Sequence, residues 1–114
     1  MIKIEVYDNP KVFERYTVLV KNDRSGDDSY GVTIADNPDL HTYIHPLHEV
    51  GDNLGEKIDL GRLPEEQQKI IFSFLADDLS KGRVTGADFS SEVLGAVFGA
   101  ISRDRYPPLD IGDV

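Results

Sequence analysis

The chain has 114 residues, no cysteine, and a formal net charge of −9 from 21 acidic and 12 basic side chains. Its length and its 39% content of apolar residues predict one folded domain with a buried core. The lack of cysteine excludes disulfide bonds and thiolate-ligated metal centres. No apolar run reaches the length of about 18 residues that would predict a membrane span.

The negative charge is concentrated in the middle of the chain. Residues 22–66 contain eleven acidic and three basic side chains, and the nearest approach to a basic cluster is Arg103 with Arg105. Because phosphate backbones are bound by clustered basic residues, we expect no direct contact with nucleic acid. The acidic region is either a solvated surface or a face that binds a basic partner. Charges among the apolar residues at 1–6 do not match a signal peptide, so we expect a cytoplasmic location.

The first third of the chain predicts β-strands. Ile2, Ile4 and Val6 alternate with polar residues, which is the period of a half-buried strand. The connections between the predicted strands are too short for helical crossovers, so we expect an antiparallel meander. The strands are predicted near 2–7, 12–21 and 30–34, with two further short candidates at 41–45 and 57–60.

Two helices are predicted after the strands. The Leu-Pro-Glu-Glu sequence at 63–66 is typical of a helix start, and we expect that helix to end near Ser80. A second helix is predicted over 87–103, where Thr85 and Asp88 have the spacing of a capping box. Its apolar side chains form one broad stripe that comprises Phe89, Val93, Leu94, Val97, Phe98 and Ile101.

These elements together predict an α+β fold. We expect a small antiparallel sheet of three or more strands, with two helices packed on one of its faces. A single domain is predicted over 1–105, followed by an extended tail over 106–114 that begins at Tyr-Pro-Pro.

The three histidines, His41, His45 and His48, lie close together in the sequence and near several carboxylates. Imidazole and carboxylate groups at short spacing can hold a divalent metal ion, and an open coordination position would allow hydrolytic chemistry. On a strand, His41 and His45 share one side, whereas Pro46 opposes a helix that would align all three. Because the spacing matches no established zinc signature, ordinary loop histidines are the competing interpretation. No other cofactor is predicted.

A strip of small residues runs along the second helix, opposite its apolar stripe. Each interior glycine costs about 1 kcal/mol relative to alanine, so the strip needs a compensating contact. Close packing would supply it, either against the protein's own sheet or against a second copy or another partner. The strip consists of Ser91, Gly95, Gly99 and Ser102.

The outward side of the sheet is a further candidate surface. If both helices cover the other side, this face is either solvated or available to a ligand. The side chains that would contact such a ligand are Tyr7, Arg15, Thr17 and Thr33.

Asp78 is unusual because it falls inside the apolar arc of the first helix. An unpaired carboxylate is costly to bury. We therefore expect Asp78 at the edge of the core, paired with Arg83 or Arg15. The functional alternative is an acid within a pocket.

Four short motifs cover roughly the first two thirds of the chain. They are Glu14–Val18, Tyr30–Gly31, Asn37–Pro38 and Leu63–Glu66. In these motifs the chain resembles a group of small uncharacterised proteins from bacteria, phages and mobile elements. The resemblance implies no activity. It implies a mobile-element origin, and small acidic proteins of that origin often bind a host protein.

The sequence favours a small, acidic, non-enzymatic binding protein that acts on a host protein through its acidic region or the small-residue strip. One alternative is a divalent-metal or small-ligand protein, hydrolytic or not, centred on His41, His45 and His48. Another is a self-associating accessory protein, a homodimer in the simplest case. The chain contains neither a Gly-x-Ser-x-Gly motif nor a glycine-rich phosphate loop, so no catalytic residue is predicted.

Overall fold

The computed structural model describes residues 1–23, 29–51 and 54–105, with side chains described up to residue 99. It contains two compact units, Met1–Gln68 and Lys69–Val114. The predicted tail over 106–114 lies outside the described residues. Each unit is considered by itself below.

The first unit contains a five-stranded antiparallel sheet. From one edge to the other, its strands are arranged in the order β4-β3-β2-β1-β5. The strands are β1 (Ile2–Asp8), β2 (Tyr16–Asn22), β3 (Tyr30–Ile34), β4 (Thr42–Pro46) and β5 (Glu56–Ile58). The predicted meander forms the centre of this sheet, and both further candidate strands are present at its two edges.

The alternation of apolar residues determines which side of the sheet is buried. Val6, Val18 and Val32 are 1%, 0% and 0% exposed, and the pairing of Val6 with Val18 and of Val18 with Val32 places them in one row. Because side chains alternate between the two faces of a strand, the intervening residues lie on the opposite face. We call the two sides the core face and the outer face.

The outer face is also covered at the centre of the sheet. Thr17 and Leu19, both on this face of β2, are each only 7% exposed. Beside them, Gly31 lies so close to the Val50 side chain that an added Cβ would overlap its Cγ2 atom. Residues 49–51 and Leu54, which we call the cover segment, therefore lie beside β2 and β3 on the outer side.

Two α-helices follow the strands in the described part of the chain. Helix α1 (Glu65–Ser80) begins directly after Pro64 with two acidic residues in its first turn, as predicted. After it, Gly82 adopts φ 74°, the left-handed conformation that commonly follows a helix end. Helix α2 (Ser91–Arg105) begins four residues later than expected.

The difference at the start of α2 has a local cause. Thr85 and Asp88 do form the predicted capping box, but it opens a short 3₁₀ turn over Gly86–Asp88 and not α2 itself. Asp88 Oδ2 accepts a hydrogen bond of 2.8 Å from the Thr85 backbone N–H. Along α2, Val97 is fully buried, whereas Phe98 is 54% exposed, so the apolar stripe is narrower than predicted.

The predicted fold class is confirmed: the protein is α+β, with an antiparallel sheet and two helices. Within the described part of the chain, neither helix is long and apolar enough to cross a membrane.

The junction between β1 and β5 depends on the absence of a side chain at Gly55. An added Cβ would overlap the backbone carbonyl of Asp8, which is fixed in the β1–β5 pairing. We expect Gly55→Ala to lower the free energy of unfolding by about 1–3 kcal/mol, because backbone must move to relieve the overlap. Urea unfolding followed by circular dichroism measures the change.

Gly61→Ala is the matched control, because a Cβ at Gly61 meets nothing within 4 Å. Its expected effect is neutral or stabilising, by less than about 1 kcal/mol, through a less flexible unfolded chain. Equal losses in the two variants would contradict this account of the β1–β5 junction.

Candidate functional site

A cavity of about 210 Å³ opens on the outer face of the sheet. Strands β2, β3 and β4 contribute Thr17, Thr33 and His45 to it, and the cover segment contributes its other side. The remaining lining residues are Val12, Glu14, His41, Glu49, Val50, Gly51 and Leu54. The cavity lies entirely within the first unit.

Strand register brings the polar lining together. Thr17 pairs with Thr33, and Thr33 pairs with Tyr43 on β4. His41 and His45 are each two residues from Tyr43, so they lie diagonally on either side of Thr33 on the same face of the sheet. The turn that precedes β4 positions His41, since the Ala35 backbone N–H donates to the His41 carbonyl at 3.0 Å.

The Thr33 hydroxyl connects the two imidazoles. Its Oγ1 atom is 2.9 Å from Nε2 of His41 and 2.9 Å from Nε2 of His45. A hydroxyl has a single proton to donate, so it can donate to only one of the two rings. At least one Nε2 atom must therefore carry a proton and donate to Oγ1. When both rings donate, the hydroxyl proton is free to bind a third group.

Aromatic contacts support the histidine rings from the side. His41 meets Phe13 edge-on at a centroid distance of 5.9 Å and Tyr43 at 4.4 Å. Tyr43 in turn contacts the His45 ring at 6.4 Å. Edge-to-face contacts of this kind orient the rings. The imidazoles are thus held by ring packing as well as by Thr33.

The charges around the cavity are negative. Glu14 and Glu49 belong to the lining and are exposed to solvent. The lining residues include neither Lys nor Arg. The site therefore combines imidazole and hydroxyl groups with two carboxylates, a combination that suits neutral or cationic polar molecules better than anions.

Two of the separate sequence candidates meet in this cavity. His41 and His45 come from the histidine cluster, and Thr17 and Thr33 come from the outward face of the sheet. His48 does not join them, since it is exposed in the short 3₁₀ turn over Leu47–Glu49. Among the described residues, no three His, Asp or Glu side chains are arranged to hold a metal ion. The described geometry thus gives the metal hypothesis no complete ligand set.

Arg15, another sequence candidate, is held by carboxylates. Its Nε atom is 2.7 Å from Oδ1 of Asp8, its Nη2 atom is 3.2 Å from Oδ2, and its Nη1 atom is 3.4 Å from Asp36. This two-point contact is the strongest geometry for an arginine–carboxylate pair, and it raises the pKa of Arg15. Arg15 therefore ties the start of β2 to the end of β1.

Tyr7 lies on the outer face of β1 and outside the cavity lining. Its hydroxyl donates to Oε1 of Glu5 at 3.1 Å, and Lys21 Nζ is 3.0 Å from the same carboxylate oxygen. The contact with Lys21 lowers the pKa of Glu5, and partial burial opposes that effect. These three side chains form a polar group within the sheet.

In the second unit, Asp78 pairs with Arg83, one of the two partners predicted for it. Arg83 Nη1 is 3.0 Å from Oδ1 of Asp78, whose side chain is 15% exposed. Asp77 joins the same group through Arg83 Nη1, which is 3.4 Å from its Oδ2 atom, and it also pairs with Lys81 at 3.1 Å. The hydrogen bond from Arg83 accounts for the carboxylate of Asp78 inside the apolar arc.

The small-residue strip on α2 has open space at Gly95. An added Cβ there meets no described atom within 4 Å, and Ser91 is exposed. Close packing against the described residues therefore does not explain Gly95. The Ser102 side chain lies outside those described, and an interface at the strip stays a prediction.

Comparison with known proteins gives no match: no family model, no curated protein and no solved structure is similar to the chain. The chemistry of the site is therefore argued from its own geometry. The cavity can offer hydrogen-bond donors and acceptors from two imidazoles and two hydroxyls. A base 2.9 Å from a hydroxyl also resembles an activated nucleophile, but here a second imidazole engages the same oxygen.

The Glu5–Lys21 pair gives a testable pH dependence. The pKa of Glu5 is lower in the folded protein than in the unfolded chain. The contact with Lys21 therefore stabilises the fold above the unfolded-state pKa of Glu5, and this stabilisation is lost as the pH falls through the folded-state pKa. We expect Lys21→Met to lower the free energy of unfolding near pH 7 by less than about 1 kcal/mol, because the Lys21 side chain is 41% exposed and solvent screens the pair. The difference from the unmodified protein should shrink in acid.

Urea unfolding over a series of pH values measures both parts of this expectation. Lys11→Met, which removes an exposed lysine from the turn after β1, is the control and should leave the pH profile unchanged. A Lys21→Met loss that is equal at neutral and acidic pH would show that the pair does not act through the charge of Glu5.

Proposed function

We propose that the protein is a non-enzymatic binding protein that holds a small polar ligand in the outer-face cavity. The observation that carries the proposal is the Thr33 hydroxyl, shared at 2.9 Å between His41 and His45 within the lining of a concave site. Ligand sites in proteins combine such a cavity with a few convergent polar groups. The apolar part of the lining comes from Val12, Val50 and Leu54.

The cavity volume limits the size of the ligand. At about 210 Å³ the cavity is smaller than the roughly 300–1,000 Å³ of sites for drug-sized molecules. We therefore expect a ligand of a few heavy atoms. The cover segment forms one side of the cavity, so a ligand there would contact both the sheet and this segment.

The charge of the lining indicates the ligand class. Glu14 and Glu49 favour a positive group. The Thr33 hydroxyl, whose proton is free when both imidazoles donate to its oxygen, can bond to a neighbouring polar group of the same molecule. A small primary amine with a hydroxyl or amide group fits both requirements. An anion would meet the carboxylates without a lysine or arginine in the lining to neutralise it.

The second candidate function is the binding of a basic host protein through the acidic region. The observation in its favour is the exposure of acidic side chains over 36–66. These are Asp36, Asp39, Glu49, Glu56, Asp59, Glu65 and Glu66. A complex of this kind would weaken as the salt concentration rises. Solvation alone also explains such exposure, so this candidate ranks below the cavity.

A probe titration followed by NMR tests the proposed function. Ethanolamine, acetamide and acetate supply a cationic, a neutral and an anionic probe of similar size. We expect ethanolamine to shift the amide signals of Thr33, His41, His45 and Glu49 at the lowest concentration, and acetate to shift them least. The proposal fails if no probe moves these signals, or if acetate moves them most.

A variant pair separates binding at Thr33 from binding elsewhere. Thr33→Val keeps the shape but removes the hydroxyl, and we expect it to weaken the ethanolamine response about tenfold, the effect of losing one good hydrogen bond. Thr33→Ser keeps the hydroxyl and should retain most of the response. An equal response in all three proteins would place the binding outside this cavity.

A further inference from the structure

The two edges of the sheet differ in how they are protected. Strand β5 has only three residues and carries two exposed charges, Glu56 and Lys57. Strand β4 has five residues and carries neither a carboxylate nor a lysine or arginine. On β4, Tyr43 and Ile44 are 60% and 54% exposed and point to opposite faces. Proteins usually protect an edge by making it short or charged. Strand β5 is both short and charged, whereas the protection of β4 is limited to the proline at its C-terminal end, Pro46.

The backbone groups that β4 directs outward follow from its pairing with β3. The Ala35 N–H bonds to the His41 carbonyl, so odd-numbered residues of this strand face β3. Antiparallel pairs alternate between hydrogen-bonded and non-hydrogen-bonded positions. The N–H and C=O groups of Thr42 and Ile44, and the C=O of Pro46, therefore point away from the sheet.

We infer that β4 is a self-association site, where the β4 strands of two copies pair antiparallel about a twofold axis at Ile44. In this register the two Ile44 residues exchange a pair of hydrogen bonds. Thr42 of each copy donates to the Pro46 carbonyl of the other. Pro46 has no N–H to donate to the Thr42 carbonyl of the other copy. This pair lies at the end of the paired strands, where the Thr42 carbonyl can bond to water.

Side chains and charge favour a second copy over a different partner. The register places Tyr43 of one copy opposite His45 of the other, which repeats across the axis the edge contact these rings already make at 6.4 Å within a copy. It also keeps every carboxylate out of the paired strands. Two copies with a net charge of −9 each repel one another. Because β4 carries no carboxylate, pairing at this edge adds no repulsion between the paired strands.

The remaining charge gives the association a diagnostic salt dependence. Outside the paired residues, each copy carries exposed carboxylates on both sides of β4, at Asp39 and Glu49, and the two copies repel as a whole. Added salt screens this repulsion, so the dimer should become tighter as the salt concentration rises. A contact between the acidic region and a basic partner would respond in the opposite direction.

Sedimentation velocity on the full chain tests the inference with two matched variants. Ile44 and Phe98 are each 54% exposed, and substitution by lysine adds the same charge at both positions. We expect a concentration-dependent dimer in the unmodified protein and in Phe98→Lys. In Ile44→Lys the dimer should be at least tenfold weaker, because the lysine residues would face each other at the axis. Circular dichroism checks that all three proteins are folded.

Two results of this experiment would overturn the inference. One is a protein that remains monomeric up to roughly 1 mM, the weak end of measurable association. The other is a dimer that Phe98→Lys dissociates and Ile44→Lys does not, which would place the interface on α2.

Hydrogen exchange at single amides tests the pairing itself. The amides of Thr42 and Ile44 should become protected as the protein concentration rises. The amides of Tyr43 and His45, which face β3, should be protected at every concentration. If the dimer forms without slowing exchange at Thr42 and Ile44, the copies associate by another surface and the inference is wrong.

Discussion

The burial of β2 on both of its faces is the constraint on which the first unit depends. Val18 and Val20 are buried on the core face, and Thr17 and Leu19 are buried on the outer face. Antiparallel sheets commonly leave one face to water, so a second cover needs its own packing. The cover segment provides it, and the lack of a side chain at Gly31 allows Val50 to approach. The cavity is the part of this second interface that the cover segment leaves open.

The same constraint changes the environment of Thr33. On a solvated sheet face, a threonine hydroxyl bonds to water and contributes little. Thr33 is only partly buried at the wall of the cavity, and there His41 and His45 contact its hydroxyl oxygen at 2.9 Å. The network fixes the positions of the two rings and the hydroxyl relative to one another, and this is the arrangement on which the proposed ligand site rests.

Charge pairs hold the remaining polar positions of the sheet in place. Arg15 bridges Asp8 and Asp36, and Glu5 binds both Tyr7 and Lys21. The two edge strands of the sheet differ in length and charge. Strand β5 is short and charged, whereas β4 is longer and carries no carboxylate, lysine or arginine. An excess of acidic residues elsewhere makes the neutral edge the least repulsive approach for a second copy.

The sequence by itself determined the features that depend on local physics. The period of two at Ile2, Ile4 and Val6 predicted a strand there, and the Leu-Pro-Glu-Glu sequence at 63–66 predicted the start of α1. Thr85 and Asp88 predicted a capping box, although not the 3₁₀ turn that it begins. The tertiary structure decided the site, because Thr33 meets His41 and His45 only through the register of β3 with β4. A hairpin of β3 and β4 centred on the turn at 37–40 would have placed Thr33 between His41 and His45, so this pairing could have been proposed from the sequence. The cover segment has no periodicity, so its position over Gly31 follows from packing that no local pattern specifies.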